Sequence, residues 1–118
     1  MIDIRPTAET FTALLKQGDF HGAAERFWHE DVSSIEAMGE PRAVHGKAAV
    51  AAKGAAWYAA HEVKAFEVEG PYVNEDQFAL TMRIDVTVKA SGQRVQMTEV
   101  GLYTVDEDGM IVEERFFY

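Results

Sequence analysis

Three residues that could bind a metal ion recur at four-residue intervals early in the chain. His21, Glu25 and His29 would form one stripe along a helix, and imidazole and carboxylate groups are common ligands of divalent cations. The predicted helix is short, the stripe is expected to face solvent, and no further ligand from another element accompanies it. We therefore predict no metal site.

A second group lies on a predicted long helix in the middle of the chain. Tyr58 and His61 are three residues apart and share one face of that helix, next to Trp57. They could orient a ligand by hydrogen bonding, and histidine can change its charge near neutral pH. Ordinary core and capping roles are the alternative. We favour that alternative for Trp57 and leave both open for Tyr58 and His61.

Composition excludes several kinds of chemistry. The 118 residues include no cysteine, so disulfides, thiolate catalysis and cysteine-ligated metals are absent. With 20 acidic and 11 basic residues the formal charge is −9, which repels nucleic-acid phosphates and anionic lipids. We therefore predict a small neutral or apolar ligand, with neither nucleic acid nor a membrane as partner.

No nucleophile arrangement and no glycine-rich phosphate loop appears, and no cofactor is predicted. The first residues, MIDIRPTAET, hold no apolar run of signal-peptide length, and no run approaches the roughly 20 residues of a membrane span. We expect a cytoplasmic protein.

The first half of the chain has helical periodicity. Thr7 is predicted to cap a first helix, which ends at Gly18, and Asp19 to cap a short second helix that includes Trp28. The segment from 32 to 38 is predicted as a short strand or extended turn, and 39–46 as loop. An alanine-rich helix follows from Lys47 to about His61.

The second half alternates with period two, which is typical of strands. A strand is predicted over 63–73, interrupted near Gly70, and the clearest alternation spans 78–89. Further strands over 94–106 and 110–118 are joined by a tight turn at Asp108 and Gly109, which completes a meander. Helices first and strands afterwards indicate a single α+β domain spanning 1–118.

Three segments resemble a known family. They are GDFHGAAERFWHEDV at 18–32, VHGKAAVAAKGAAWY at 44–58 and YTVDEDGMIVEERFFY at 103–118. Their order and spacing resemble the SnoaL-like and ketosteroid-isomerase-like proteins of the nuclear transport factor 2-like superfamily. The resemblance implies a cone-shaped, curved antiparallel sheet wrapped around three N-terminal helices, with a pocket at the open end. Family members include isomerases, dehydratases, cyclases, hydrolases and binding domains, so the fold alone does not give the function.

The resemblance to ketosteroid isomerases is incomplete at the catalytic positions. It puts Glu36 at the position of the catalytic base, with a solvated acid at a strand edge as the alternative reading. It puts Phe11 and Gly101 at the positions of the two donors that stabilise the intermediate's oxygen. Because neither side chain can donate a hydrogen bond, we do not expect steroid isomerisation by that mechanism.

The resemblance further implies that two strands turn acids into the pocket. One strand would contribute Glu99, Gly101 and Tyr103. Two or three acids would then share an apolar chamber, and like charges in a poorly hydrated space cannot all ionise. A shift of one residue would instead turn a whole strand's set outward, and Glu114 could form an ion pair with an arginine. The other side chains implied for the chamber are Met82, Ile84, Val86, Glu114, Phe116 and Tyr118.

Two function classes follow. The first is an enzyme that moves a proton on a neutral, largely apolar substrate, as an isomerase, dehydratase or epoxide-type hydrolase. Glu36 and Glu99 would be its acid–base groups, and Tyr58, Tyr103 and Tyr118 would orient the substrate. The second is a non-catalytic ligand carrier, sensor or assembly module in which these acids are structural.

The outer face of the predicted sheet is also informative. It is too apolar to stay hydrated, so we expect a homodimer formed sheet to sheet, as in much of the family. The residues expected on this face are Thr98, Val100, Leu102, Thr104 and Phe117.

Overall fold

The computed structural model describes residues 2–118 and contains three helices and one six-stranded sheet. Helical periodicity in the first half and alternation in the second both appear as expected. In chain order the elements are α1 Arg5–Lys16, α2 Phe20–Phe27, β1 Trp28–Ile35, β2 Ala43–His45, α3 Lys47–Ala60, β3 His61–Asn74, β4 Gln77–Val88, β5 Arg94–Val105 and β6 Ile111–Phe117.

The strands form one curved, unclosed sheet in the order β2-β1-β6-β5-β4-β3. Strands β3 to β6 form the predicted antiparallel meander, with the expected irregularity in β3 between Glu69 and Tyr72. The α+β class with three helices against a curved sheet is confirmed. One pairing departs from a purely antiparallel sheet, because β1 runs parallel to β6. Strand β1 follows α2 without a loop.

One end of the inner face is filled by α1. Ala8, Phe11 and Leu15 are buried, and their spacing of three and four residues places them on the same side of this helix. The Phe11 ring centroid lies 5.8 Å from that of Phe78 and 5.0 Å from that of Tyr103. This aromatic cluster fills the concave side of the sheet at its α1 end.

Two helix boundaries test the predicted caps. Asp19 caps α2, accepting a hydrogen bond from the backbone N–H of Gly22 at 2.9 Å. The predicted Thr7 cap is wrong, because α1 already begins at Arg5 and has Ile4 at its N-cap position without a side-chain bond. Pro6 lies in the first turn, where its missing N–H has no helical partner to lose.

The second helix is shorter than predicted, and β1 is longer. Since α2 ends at Phe27, Trp28 and His29 belong to β1, and the stripe of His21, Glu25 and His29 is divided between a helix and a strand. Residues 2–118 contain no group of three or more His, Asp or Glu side chains that could hold a metal ion. The predicted loop at 39–46 contains the short edge strand β2.

Helix α3 crosses the other end of the sheet and contacts β1, β2 and β3. Of its 14 residues only Val50 is buried, because most of the others are small alanines that leave the concave side of the sheet uncovered. Across the described residues 2–118, no helix is both long and apolar enough to span a bilayer.

Candidate functional site

A cavity of about 720 Å³ lies between α3 and the inner face of the sheet. Its walls are mainly apolar and include Phe20, Trp57, Phe66, Met82, Met97 and Phe116. A second concavity of about 410 Å³ lies among the charged side chains of β3 and β4. There Arg83 is already paired with Glu67 and Glu69, so we take the larger cavity as the candidate site.

Sheet register brings the polar groups of this cavity together. Tyr103 of β5 lies directly opposite Glu114 of β6, and Glu114 lies opposite Ser34 of β1. Gly101 faces Phe116 in the next row, and Glu99 faces Met82 of β4. The inward orientation expected for Glu99, Tyr103 and Glu114 is therefore the observed one.

Lys53 joins three of these elements through its ammonium group. It donates to the Glu36 carboxylate over 2.9 Å and also to the Ser34 hydroxyl. Ser34 in turn donates to Oε2 of Glu114 over 2.7 Å, and the Tyr118 hydroxyl donates to Oε2 of Glu36 over 3.1 Å. Glu114 is thus bound by a serine, and among residues 2–118 no arginine forms the alternative ion pair with it. The result is a hydrogen-bonded chain from buried Glu114 to Tyr118.

Glu114 is only 6% exposed. Burial raises its pKa to about 6, while the Ser34 hydrogen bond and the Lys53 charge oppose that rise. The indole N–H of Trp28 is buried and has no hydrogen-bond partner among residues 2–118, although it lies near enough to lower the pKa of Glu114. We treat this proximity as electrostatic, because the geometry does not meet that of a hydrogen bond.

Glu99 faces the cavity and makes no hydrogen bond to residues 2–118. Its pKa is raised to about 7, chiefly by burial and also by the negative charges of Glu36 and Glu114, while Lys53 opposes the shift. A carboxyl group with such a pKa is present in both protonation states near neutral pH. It can therefore accept or donate a proton there.

The remaining predicted site residues differ in position. Met82, Ile84, Tyr103, Phe116 and Tyr118 line the cavity, and Tyr58 lies at its mouth with 39% exposure. Val86 is buried but lies outside the lining.

His61 does not line the cavity. The helix ends at Ala60, so His61 begins β3, where its ring stacks on Trp57 with centroids 4.5 Å apart. Its Nδ1 lies 2.8 Å from the Trp57 carbonyl oxygen. The ligand-binding position predicted for His61 is thus corrected: it packs at the helix end.

Sequence reasoning overlooked Lys53 and Ser34. A signal for Lys53 was present, since it lies three residues after Val50 and four before Trp57, on the α3 face that turns toward the cavity. For Ser34 the alternation of β1 gave a weaker signal, because Val32 and Ser34 are the two buried positions of that strand.

Comparison with known proteins now identifies the class to which this fold and cavity belong. The SnoaL-like domain family matches residues 3–118, and the chain belongs to that family. Among curated proteins, no relative of this chain is found.

Solved structures include one from Mesorhizobium loti, provisionally named a SnoaL-like polyketide cyclase with carbohydrate phosphatase as a second designation. It is 54% identical, with a TM-score of 0.95, and the match covers 99% of this chain and 100% of that one. A SnoaL-like polyketide cyclase, also provisionally named, from a Jannaschia species is 20% identical, with a TM-score of 0.80 and coverage of 99% and 88%.

A third structure, from Catenulispora acidiphila, has a ketosteroid-isomerase-like fold and was solved in complex with trimethylamine. It is 15% identical, with a TM-score of 0.76 and coverage of 96% and 85%. At this identity the similarity, like that to the Jannaschia protein, supports the fold alone.

The raised pKa of Glu99 predicts a specific pH dependence of stability. Its pKa rises from 4.5 to about 7 on folding. The folded state therefore binds the proton more tightly, and the resulting contribution to the free energy of unfolding is complete below about pH 4.5 and is lost as the pH rises through 7. Glu99→Gln stays neutral throughout. It should therefore gain free energy of unfolding relative to the wild type over this range, by up to about 3 kcal/mol.

Urea denaturation at a series of pH values measures this difference. Glu9→Gln, which removes an exposed acid of α1, is the control and should run parallel to the wild type. A parallel curve for Glu99→Gln as well would contradict the assigned environment of Glu99.

Lys53→Met should raise the pKa values of both Glu99 and Glu114, because the Lys53 charge lowers both in the wild type. Carbon-13 NMR titration of the glutamate carboxyl groups reports each pKa directly. Lys64→Met is the matched control, since Lys64 pairs with the exposed Glu62. Unchanged titration of Glu99 and Glu114 in Lys53→Met would show that Lys53 does not control their charge.

Proposed function

We propose that this protein binds a small neutral, largely apolar molecule in the cavity and moves a proton on it. The supporting observation is the Glu99 carboxyl group, which faces the apolar chamber with a pKa of about 7 and no hydrogen bond to residues 2–118. As a carboxylate, Glu99 would take a proton from carbon or oxygen of the substrate. As the acid so formed, it would return that proton to another substrate atom, completing an isomerisation, dehydration or cyclisation.

Glu36 has a different role in this proposal from the catalytic one first expected. Its two carboxylate oxygens are bound by Lys53 and Tyr118, so it is less available to a substrate than Glu99. We infer that Glu36 is a positioning residue that holds the Lys53 ammonium group at the cavity wall. Tyr103 and Tyr58 remain the proposed orienting donors.

The proposed proton transfer agrees with the first of the two designations of the Mesorhizobium relative, polyketide cyclase. A polyketide carries ketone groups on a largely carbon skeleton, and its cyclisation requires removal of a proton next to a carbonyl group. A phosphorylated sugar fits less well, because the cavity lining contains four carboxyl side chains, Glu36, Glu40, Glu99 and Glu114, against the one ammonium of Lys53. Added phosphate charge would be repelled.

The second candidate function is non-catalytic binding. It is favoured by the absence of both ketosteroid isomerase donors, since Phe11 lies in the core and Gly101 has no side chain. The cavity would then hold a ligand without a hydrogen-bond donor at either position where ketosteroid isomerases stabilise the negative charge of the intermediate.

A thermal-shift and turnover screen separates the two functions. Neutral cyclic ketones, phenols, epoxides and polyketide-like aromatics are tested with wild type, Glu99→Gln and Glu113→Gln, the last being an acid on the outer side of β6. We expect at least one ligand to stabilise all three proteins and to be turned over with kcat/KM about 100-fold or more lower in Glu99→Gln alone. Equal stabilisation without turnover would establish a carrier.

We also propose a homodimer through the outer face of the sheet. Val100 and Phe117 are paired across β5 and β6 and are 36% and 49% exposed. Burying these neighbouring apolar side chains against a second copy would remove them from water.

Sedimentation equilibrium at micromolar concentration should therefore give a dimer, and the double variant Val100→Lys, Phe117→Lys should shift it to monomer. Met38→Lys, which changes an exposed apolar residue of the segment between β1 and β2, should leave the dimer intact. A monomeric wild type would refute the proposal.

A further inference from the structure

Gly101 leaves a notch in the floor of the cavity. It faces inward between Glu99 and Tyr103 of the same strand, with Phe116 opposite it on β6 and Leu80 opposite it on β4. A Cβ atom at this position would lie 2.9 Å from the Tyr103 hydroxyl oxygen and 2.9 Å from the Met82 methyl carbon. The tyrosine hydroxyl therefore lies directly over Gly101, where only a glycine leaves room for it.

The ring that carries this hydroxyl is held firmly. It stacks on Phe78 with centroids 4.9 Å apart and an interplanar angle of 15°, and it packs against Phe11 at 5.0 Å. Tyr103 is 3% exposed and lines the cavity, yet its hydroxyl makes no hydrogen bond to any of residues 2–118. A hydroxyl that opens onto the cavity without a protein partner is available to a molecule bound there.

The charge state of Tyr103 is also determined by its surroundings. Burial, together with the acids Glu114 and Glu99, raises its pKa well above the usual value. The phenol therefore stays protonated and acts as a hydrogen-bond donor. On the other side of Gly101, the Glu99 carboxyl also lacks a hydrogen-bond partner among the described residues.

We propose that the part of the cavity next to the Tyr103 hydroxyl, which lies over Gly101, is a subsite for a carbonyl oxygen of the ligand, and that this oxygen accepts a hydrogen bond from Tyr103. A second hydrogen bond comes from Glu99 whenever that carboxyl is protonated. The carbon skeleton next to this carbonyl lies against Phe116, Met82 and Met97, so the ligand class is a compact ketone with a flat apolar body. This subsite rests on the proposed function because it requires that the cavity binds a ligand, but it does not require turnover.

The test uses two probes that differ in one oxygen. 1-Tetralone has a carbonyl group on a bicyclic skeleton, and tetralin is the same skeleton without it. Tyr103→Phe keeps the stacked ring and removes only the hydroxyl. We expect it to weaken 1-tetralone binding by calorimetry roughly three- to tenfold, the range for one neutral hydrogen bond, and to leave tetralin binding unchanged.

Infrared spectroscopy gives a direct reading of the hydrogen bond. The carbonyl stretch of bound, carbon-13-labelled 1-tetralone should lie at lower frequency in the wild type than in Tyr103→Phe, because hydrogen bonding weakens the carbonyl bond. Gly101→Ala places a Cβ atom where the Tyr103 hydroxyl lies, so it should displace that hydroxyl and likewise reduce tetralone binding. Tyr72→Phe removes an exposed hydroxyl of β3 outside the cavity lining and should match the wild type in every measurement.

The possible outcomes separate the two proposals. Equal affinities of wild type and Tyr103→Phe for 1-tetralone, with no shift of the carbonyl stretch, would overturn the subsite while leaving the cavity as a binding site. Equal weakening of both probes would also overturn it, since a merely structural effect of Tyr103 would not distinguish them. Failure of both probes to bind the wild type would overturn the subsite together with the proposed apolar ligand.

Discussion

The ammonium group of Lys53 is the interaction on which the chemistry of the cavity depends. Carboxylates brought together in a poorly hydrated space repel one another, and each loses hydration. Lys53 offsets this for Glu36 by direct contact and for Glu114 through the hydroxyl of Ser34. Glu99 receives no such bond, so the unfavourable charge is concentrated on it. One lysine thereby separates two structurally bound acids from one that is free to exchange a proton.

The fold provides this space because its helices cover the sheet unequally. At one end α1 fills the concavity with Phe11 and its neighbours. At the other end α3 contributes mostly alanines and buries only Val50. Because Trp57 and Phe66 border the remaining space, it is apolar in character although it contains four carboxyl side chains. Tyr103 belongs to both ends, since its ring packs in the core cluster and its hydroxyl reaches the cavity.

Period-two alternation made the sheet predictable. From 78 to 88 every second side chain is apolar, so the buried set of β4 could be assigned to one face, whereas alternation alone left the orientation of β5 and β6 open. The boundary between α2 and β1 was harder, because Trp28 and His29 fit the apolar and polar pattern of either element. Strand β2 has only three residues and no pattern to detect.

The candidate site was predictable only in part. Acids at inward positions could be named, since the family resemblance implied the orientation of each strand. The bond between Lys53 and Glu36 could not, because it joins a helix to a loop and no spacing within one element encodes it. His61 was misplaced for a local reason: a difference of one residue in the helix end moved it from a helical face to the first position of a strand.

The close contact at Gly101 couples two positions of this chain. The resemblance to ketosteroid isomerases aligns an acidic side chain of those enzymes with Gly101, and here the hydroxyl of Tyr103 fills the space over that glycine. An acid at 101 and a tyrosine at 103 would occupy the same volume, so a change toward the isomerase pattern requires both residues to change together. Passing through either single change would crowd the floor of the cavity or leave it without a donor. Single substitutions therefore do not lead from the present pair to the isomerase arrangement without a steric clash or the loss of the donor, even though both arrangements use the same strand and the same fold.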